Sequence, residues 1–318
     1  MNMITKPDIV LDEQRNFSDV INACFAFVRQ EFKPLFKTVA LYTFFPLLGL
    51  AVSLTFYFKG TFDLAMAGEI GQLNDGQINL PWGWYALLIL SALVTQVVMS
   101  GVIYEYLLLY KTQGRGNFTP SDVARKLMQD IWALAGFSIL TFILIAISGA
   151  AIGLIGGLLF TISPVFIIPF VILFIVGMIF IMVPLSLLWV VKVFEDKGYG
   201  DTLTRCFKLT KNNWWKTFGL LFVMNIIIST MGAIFQIPLY IYFFFMMITG
   251  AQSGQMPQFN TSMMLVFSLI GIYGSMWLYS LFMLAIGFHY TSLKEEKDND
   301  SILNRIEKIS ETPVDEMA

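Results

Sequence analysis

The sequence predicts an all-α polytopic membrane protein. It has six transmembrane helices, arranged as three copies of a unit in which a cytoplasmic amphipathic helix leads into two spans. Three observations carry this reading. The 318 residues are 57% hydrophobic and 13% charged, against about 25% charged in an average soluble domain. Uncharged runs of twenty or more residues recur, and roughly 20 helical residues cross about 30 Å of hydrocarbon. The runs are continuous rather than alternating, which argues against a β-barrel. Second, an amphipathic stretch occurs twice. Residues 19–36 and 201–218 align without a gap, pairing Asp19 with Asp201, Cys24 with Cys206, Phe25 with Phe207 and Phe36 with Phe218, and each stretch runs into an apolar block. Third, nineteen of the twenty Lys and Arg fall on one side of a six-span chain, with Lys59 the exception. Cytoplasmic loops are enriched in Lys and Arg, so both termini and all three amphipathic helices are expected in the cytoplasm.

Residues 1–16 are polar and are expected to be poorly ordered, with no pattern of a cleaved signal peptide. Phe17, Val20, Ile21, Cys24, Phe25, Val28 and Phe32 recur at three-and-four spacing, which predicts an amphipathic helix. Asn16, Ser18 or Asp19 can cap it, and Pro34 marks its junction with the first span, residues 35–58. Residues 59–81 form a loop carrying Asp63, Glu69 and Asp75. Trp82 and Trp84 sit where interfacial aromatics are expected, and the second span covers residues 85–110. After a basic turn at 111–117, Thr119-Pro120-Ser121-Asp122 starts a helix. Val123, Leu127, Met128 and Ile131 are expected on one face of it, a weaker third copy. Residues 132–194 carry no charge before Lys192, enough for two crossings divided near 161–164, with Pro169 and Pro184 bending the second. Residues 195–213 form the basic amphipathic segment, and 214–249 the fifth span, which Pro238 should kink or end. A polar loop at 250–260 precedes the last span, 261–293.

The domain organisation expected is a polar segment at 1–16, a membrane domain at 17–293 with units at about 17–110, 118–194 and 198–293, and a charged tail at 294–318. In that tail Ile302, Leu303 and Ile306 hint at a short helix. A small residue followed three later by an aromatic recurs near one end of the even spans: Gly101 and Tyr104, Ser186 and Trp189, Gly287 and Tyr290.

Ionisable residues inside hydrocarbon are functional candidates because burial there is costly. Glu105 in the second span is one, a carboxyl able to bind a cation or proton. His289, the one histidine, is the other, although a lone histidine cannot build a metal site. Gly149, Gly153 and Gly157 make a small-residue strip suited to helix packing. Asn225, Gln96 and Gln236 are suited to hydrogen bonds between spans. Phe32, Trp132, Arg205, Lys208, Lys211, Trp214 and Trp215 are expected at the membrane interface, aromatics anchoring and cations toward headgroups. Glu195-Asp196 reads as a solvated turn, and Cys24 and Cys206 as free thiols. Phosphate-loop, zincin, nucleophile-elbow and dinucleotide motifs are missing, so no catalytic residue, cofactor or metal is expected, and nucleic-acid binding has no support.

The run from Phe194-Glu195-Asp196-Lys197-Gly198-Tyr199-Gly200-Asp201 into Cys206-Phe207-Lys208-Leu209-Thr210-Lys211-Asn212-Asn213-Trp214-Trp215 resembles a junction of poorly characterised bacterial six-span membrane proteins. That group includes the membrane domain attached to some glycerophosphodiester phosphodiesterases. The resemblance implies the architecture and a bacterial inner-membrane location. It does not imply the phosphodiesterase activity, since the chain has no room for that catalytic domain. The expected function is a non-enzymatic inner-membrane protein that organises lipid or partner proteins through its amphipathic helices. The alternative is a transporter or exporter of a lipid-like or small amphiphilic solute. Membrane lipids, and other membrane proteins, are the expected partners.

Overall fold

The computed structural model describes residues 9–66, 73–74, 77–78, 80–163, 165, 167–253 and 260–298. Helices dominate: α1 (Phe17–Met66), α2 (Trp82–Gln113), α3 (Pro120–Ile162), α4 (Ile167–Leu185), α5 (Leu188–Glu195), α6 (Tyr199–Thr210), α7 (Trp214–Ser253) and α8 (Thr261–Asp298). A two-residue ribbon, β1 (Leu73–Asn74) with β2 (Gln77–Ile78), lies between α1 and α2. Among the described residues six helices are long and apolar enough to span a membrane, one of them made of α4 and α5 together.

The first amphipathic helix and first span are one element. α1 has 50 residues, about 75 Å at 1.5 Å per residue, with non-helical dihedrals at Glu31. Pro34 explains the kink. It lacks the N–H that would bond the carbonyl of Gln30, and its ring crowds that carbonyl. At the aligned place in the later stretch the helix breaks fully, with α6 ending at Thr210 and α7 starting at Trp214. Aligned as in the sequence, Asn213 falls opposite Glu31, and both are buried. Val20, Cys24 and Phe27 are buried, as are Thr202, Cys206 and Leu209 in the same register, while Phe25 and Phe207 are exposed in both.

α3 runs straight from its start through the third span. The backbone N–H of Thr119 donates to Asp122 Oδ2 at 2.8 Å, a cap that fixes its first turn. Val123 and Leu127 are buried, but Met128 is 68% exposed, so the four apolar positions do not share one inward face. α3 ends at Ile162 and α4 begins at Ile167, in agreement with the expected division; Pro164 itself lies outside the described residues. Pro169 falls in the first turn of α4, where no helical N–H bond is lost. Pro184 does act: α4 stops at Leu185 and α5 resumes at Leu188. The carbonyl it frees, Phe180 O, accepts from the Trp214 indole at 3.3 Å. α7 continues through Pro238 to Ser253.

α1, α2 and α8 pack together as the heart of the bundle, with α7 along α8, α3 along α2, and α5 against α2. Close approach has a visible cause at three glycines. A Cβ on Gly101 would sit 2.3 Å from Leu127 Cδ1, one on Gly287 2.5 Å from Leu107 Cδ1, and one on Gly274 2.8 Å from Phe235 Cβ. Tyr104 and Tyr290, three residues after two of these glycines, are fully buried. Beyond Leu140, α3 and the facing part of α4 leave most large apolar side chains exposed, as lipid-facing helices do. Gly149, Gly153 and Gly157 lie there with nothing within 4 Å of an added Cβ. Among the described residues nothing packs on the strip, although Gly156 on an adjacent face of α3 meets Phe170 of α4, where an added Cβ would lie 2.9 Å from the ring.

Residues 9–16 are ordered, contrary to expectation. Leu11 is buried, and the segment crosses the end of the bundle where α2 and α8 finish. The N–H of Ile9 donates to the Tyr110 hydroxyl at 3.0 Å, and that of Arg15 to Ser292 Oγ at 2.9 Å. α8 passes the expected end at 293 and reaches Asp298. The helix expected around Ile302, Leu303 and Ile306 lies outside the described residues, as do Glu69 and Asp75.

Candidate functional site

The start of α1, the ends of α2, α5 and α8, and all of α6 meet at one end of the bundle, called here the basic end. Its interior is a set of polar knots. In the first, the Tyr106 hydroxyl donates to Glu31 Oε2 at 2.7 Å, and Arg115 Nε lies 2.6 Å from Glu31 Oε1. Arg115 also donates to the carbonyl of Gln30 at 2.9 Å. It can reach back because Gly114 and Gly116 take positive φ, +79° and +74°, and turn the chain sharply after α2.

The second knot centres on Glu195, whose side chain is 7% exposed. It accepts from Arg205 Nε at 3.0 Å, from the Tyr290 hydroxyl at 2.9 Å and from Lys197 at 2.5 Å. Arg205 continues to Asp298, so α5, α6 and α8 are joined. Burial works against the charge of Arg205, but Asp298 and Glu195 outweigh it and hold the guanidinium pKa above its ordinary value. This corrects two expectations. Glu195 is not in a solvated turn, and Arg205 is enclosed rather than turned toward headgroups. Asp196, at the left-handed C-cap of α5, is exposed and pairs with Lys192. The hydrogen bond and charge of Lys192 hold the Asp196 carboxyl below its usual range.

His289 is buried, with Nε2 2.9 Å from Thr217 Oγ1. That places it in a contact between α8 and α7. Nearby, Asn213 Nδ2 donates to Glu296 Oε1 at 2.8 Å. Among the described residues no three His, Cys, Asp or Glu side chains gather as a metal site requires. Cys24 and Cys206 are both free and buried. Burial, with the charge of Glu195, pushes the Cys206 thiol up to about 12.

Glu105 differs from the other buried carboxylates. It is completely buried, and neither oxygen has a hydrogen-bond donor. The side chain it interacts with most directly is a second acceptor, Asp130 of α3, with Lys126 and Asp196 as further charges. The close approach at Gly101 sets this up, since it seats Leu127 and Leu134 on α2 and Asp130 lies between them in sequence.

Of the expected interfacial residues, Trp132 (84% exposed), Trp215 (76%) and Phe32 (53%) present their rings outward, and Lys208 and Lys211 are exposed. Trp214 is half-buried, stacked on Phe218 at 5.3 Å and Phe180 at 5.6 Å. Between the spans lie apolar grooves, one of 580 Å³ bounded by Met178, Met182, Phe222 and Asn225. A cavity of 370 Å³ is more polar, lined by Thr95, Gln96, Gln236, Ser275 and Tyr279 among others. There Gln236 Nε2 donates to Ser275 Oγ at 3.4 Å, whereas Asn225 Oδ1 accepts from Ser229 of its own helix.

Residues 110–293 match a family described as a domain of unknown function, DUF7847. The chain belongs to that family. The matched stretch starts at the end of α2 and closes within α8, so it includes Arg115, Asp130, Glu195, Arg205 and His289 but not α1 or Glu105. No curated protein and no solved structure matches the chain.

Sequence reasoning overlooked Glu31, Arg115, Asp130 and Glu195. Glu31 carried a signal: it continues the inward series Cys24, Phe27, Glu31, Leu35, and a charge on an apolar face needs a partner. Asp130 carried the same signal between Leu127 and Leu134. Arg115 and Glu195 sit beside turns, where nothing in the local pattern marks a buried partner.

Proposed function

We propose that this chain is a non-enzymatic integral protein of a bacterial inner membrane, with both termini cytoplasmic. In this reading it organises anionic lipid, and through it partner proteins, at its basic end. The observation that carries this is a stripe of unneutralised cations beside exposed rings. Arg29, Lys33 and Lys37 recur every fourth residue along α1, are exposed, and make no ion pair with any described residue. Phe32 and Phe36 between them are exposed, and Phe36 stacks on Trp277 at 3.9 Å. Lys208 and Lys211 stand beside exposed Phe207 and Trp215 in the second copy. Cations next to aromatic rings at headgroup depth suit phosphate-bearing lipid, each Lys or Arg contributing about 1 kcal/mol near an anionic surface.

The three-unit reading is supported by the shared burial register of residues 19–27 and 201–209 and by a junction at the same aligned place, Glu31 and Asn213. The likeness to membrane domains attached to glycerophosphodiester phosphodiesterases accords with a lipid setting. To test the reading, the protein is placed in nanodiscs of mixed phosphatidylglycerol and phosphatidylethanolamine, and the lipid retained after detergent exchange is quantified. The triple variant R29Q/K33Q/K37Q should lose several-fold of the retained anionic lipid and keep its neutral lipid. An unchanged ratio sinks the proposal.

One observation favours the alternative, transport of a small amphiphile. The 370 Å³ cavity is lined by two glutamines from different spans, Gln96 of α2 and Gln236 of α7. Flux of fluorescent lysolipid into proteoliposomes, reduced by Gln236→Leu, would support it. Flux equal to empty vesicles would end it.

A further inference from the structure

Glu105 poses a problem that the lipid-facing reading does not touch. A buried carboxylate without a donor loses its hydration and gains nothing in return. Here the side chain that meets it, Asp130, is another carboxyl. Glu105 is enclosed and Asp130 is partly exposed; two neighbouring carboxylates repel when both are ionised, and the ordinary solution is one proton held between them.

The surrounding charges leave room for that proton. α3 brings Lys126 and Asp130, and the C-cap of α5 brings Asp196, which is already paired with Lys192. Three buried titratable groups on the other elements packed against α2 are engaged elsewhere. Glu31 of α1 is taken by Tyr106 and Arg115, Glu195 at the end of α5 by Arg205, Lys197 and Tyr290, and His289 of α8 by Thr217. Glu105, Asp130 and Asp196 set against Lys126 and Lys192 are three acids facing two bases. One bound proton makes the group neutral.

We propose that Glu105 and Asp130 hold one exchangeable proton between them, which makes the α2–α3 crossing a protonation site at the basic end of the bundle. The proton sits on one carboxyl and is donated to the other. On release it passes to bulk water, and two like charges remain face to face. α3 packs chiefly on α2 and only lightly on α1, α4 and α5, so α3 is the element freest to respond by moving away. The site therefore couples proton occupancy to the seating of α3.

The test is infrared difference spectroscopy on the full chain in nanodiscs, between acidic and alkaline buffer, with and without sodium. A protonated-carboxyl band that disappears on alkalinisation is expected in the wild type. It should be absent in Glu105→Gln, which is isosteric and able to donate an amide N–H to Asp130. Asp130→Asn should displace the band, because the acceptor of the proton has changed. Asp63→Asn, at the other end of α1, should leave it untouched. A wild type without the band, or a band unaltered by either E105Q or D130N, overturns the proposal. A band that appears only when sodium is withdrawn also overturns it, in favour of a bound cation.

Discussion

Arg115 donates to the carbonyl of Gln30 over 2.9 Å, and that carbonyl is the one Pro34 leaves without a helical N–H. The same guanidinium neutralises buried Glu31. One residue beyond α2 thus repairs the backbone defect that separates amphipathic helix from span in α1. Truncating it in Arg115→Ala leaves Glu31 uncompensated, which should cost about 2–4 kcal/mol, since Arg115 is itself partly exposed. In a Pro34→Ala background the Gln30 carbonyl regains its helical donor, and roughly 1 kcal/mol of that loss should vanish. Thermal unfolding of the four proteins of this cycle in detergent measures it. An equal loss in both backgrounds would show that the carbonyl contact contributes nothing.

Glycines at close approach and glycines in open space should respond oppositely to one methyl group. Gly274→Ala places a Cβ 2.8 Å from Phe235 Cβ, an atom that no rotamer change can move aside, and should cost about 1–3 kcal/mol. Gly153→Ala meets nothing within 4 Å and should change stability by less than about 0.5 kcal/mol. A clear loss in Gly153→Ala would mean that the strip is a contact between chains.

Arg205 joins α5, α6 and α8, so Arg205→Ala should release α6 to proteolysis, and Arg205→Lys should rescue it in part because an ammonium cannot span Glu195 and Asp298 together. The pH dependence follows from the signs. The raised pKa of Arg205 means that its contribution is complete below its unfolded value and fades only in strong alkali, so it adds no slope near neutrality. Asp196 is held low by Lys192, so its contribution is present above about pH 4 and is lost as pH falls through the lower folded value. Its carboxylate is exposed and screened, so Asp196→Asn should remove less than about 1 kcal/mol of that acid limb. Thermal unfolding from pH 3 to 8 gives both profiles.

Thiol chemistry should find neither native cysteine. With the Cys206 thiol pushed up to about 12, about one molecule in 10⁴ is thiolate at pH 8, and Cys24 is fully buried. Maleimide should label both only after denaturation; labelling of the folded protein contradicts the packing of α1 and α6. Orientation then needs introduced cysteines in a background without the native pair. Asp63→Cys should label from outside intact cells and Lys208→Cys only after lysis, and the reverse result inverts the proposed topology.

The spans were legible because each needs little more than length and the lack of charge. Trp82–Gln113 exceeds the expected span by three residues at either end, and Thr261–Asp298 starts where expected and runs five residues further. The register of the first amphipathic helix was legible only in part: Val20 and Cys24 are buried as their spacing predicts, but Phe17, Phe25 and Phe32 of the same series are exposed and Phe27, outside it, is buried. The strip of Gly149, Gly153 and Gly157 misled, since small-residue spacing states what a helix could accept and not whether another helix arrives. Glu195 misled for the opposite reason. It looks like a turn residue, and its three donors come from positions 2, 10 and 95 residues away.

Local chemistry alone determined that this chain forms long apolar helices, because hydrophobic periodicity and run length act within a single helix. Tertiary structure decided which charges meet. Glu31 found Arg115, Glu195 found Arg205, and Glu105 found another acid in place of a donor. Those pairings depend on where helices cross, and the crossing at Gly101 is set by the absence of one methyl group, which lets Leu127 close in and brings Asp130 against Glu105.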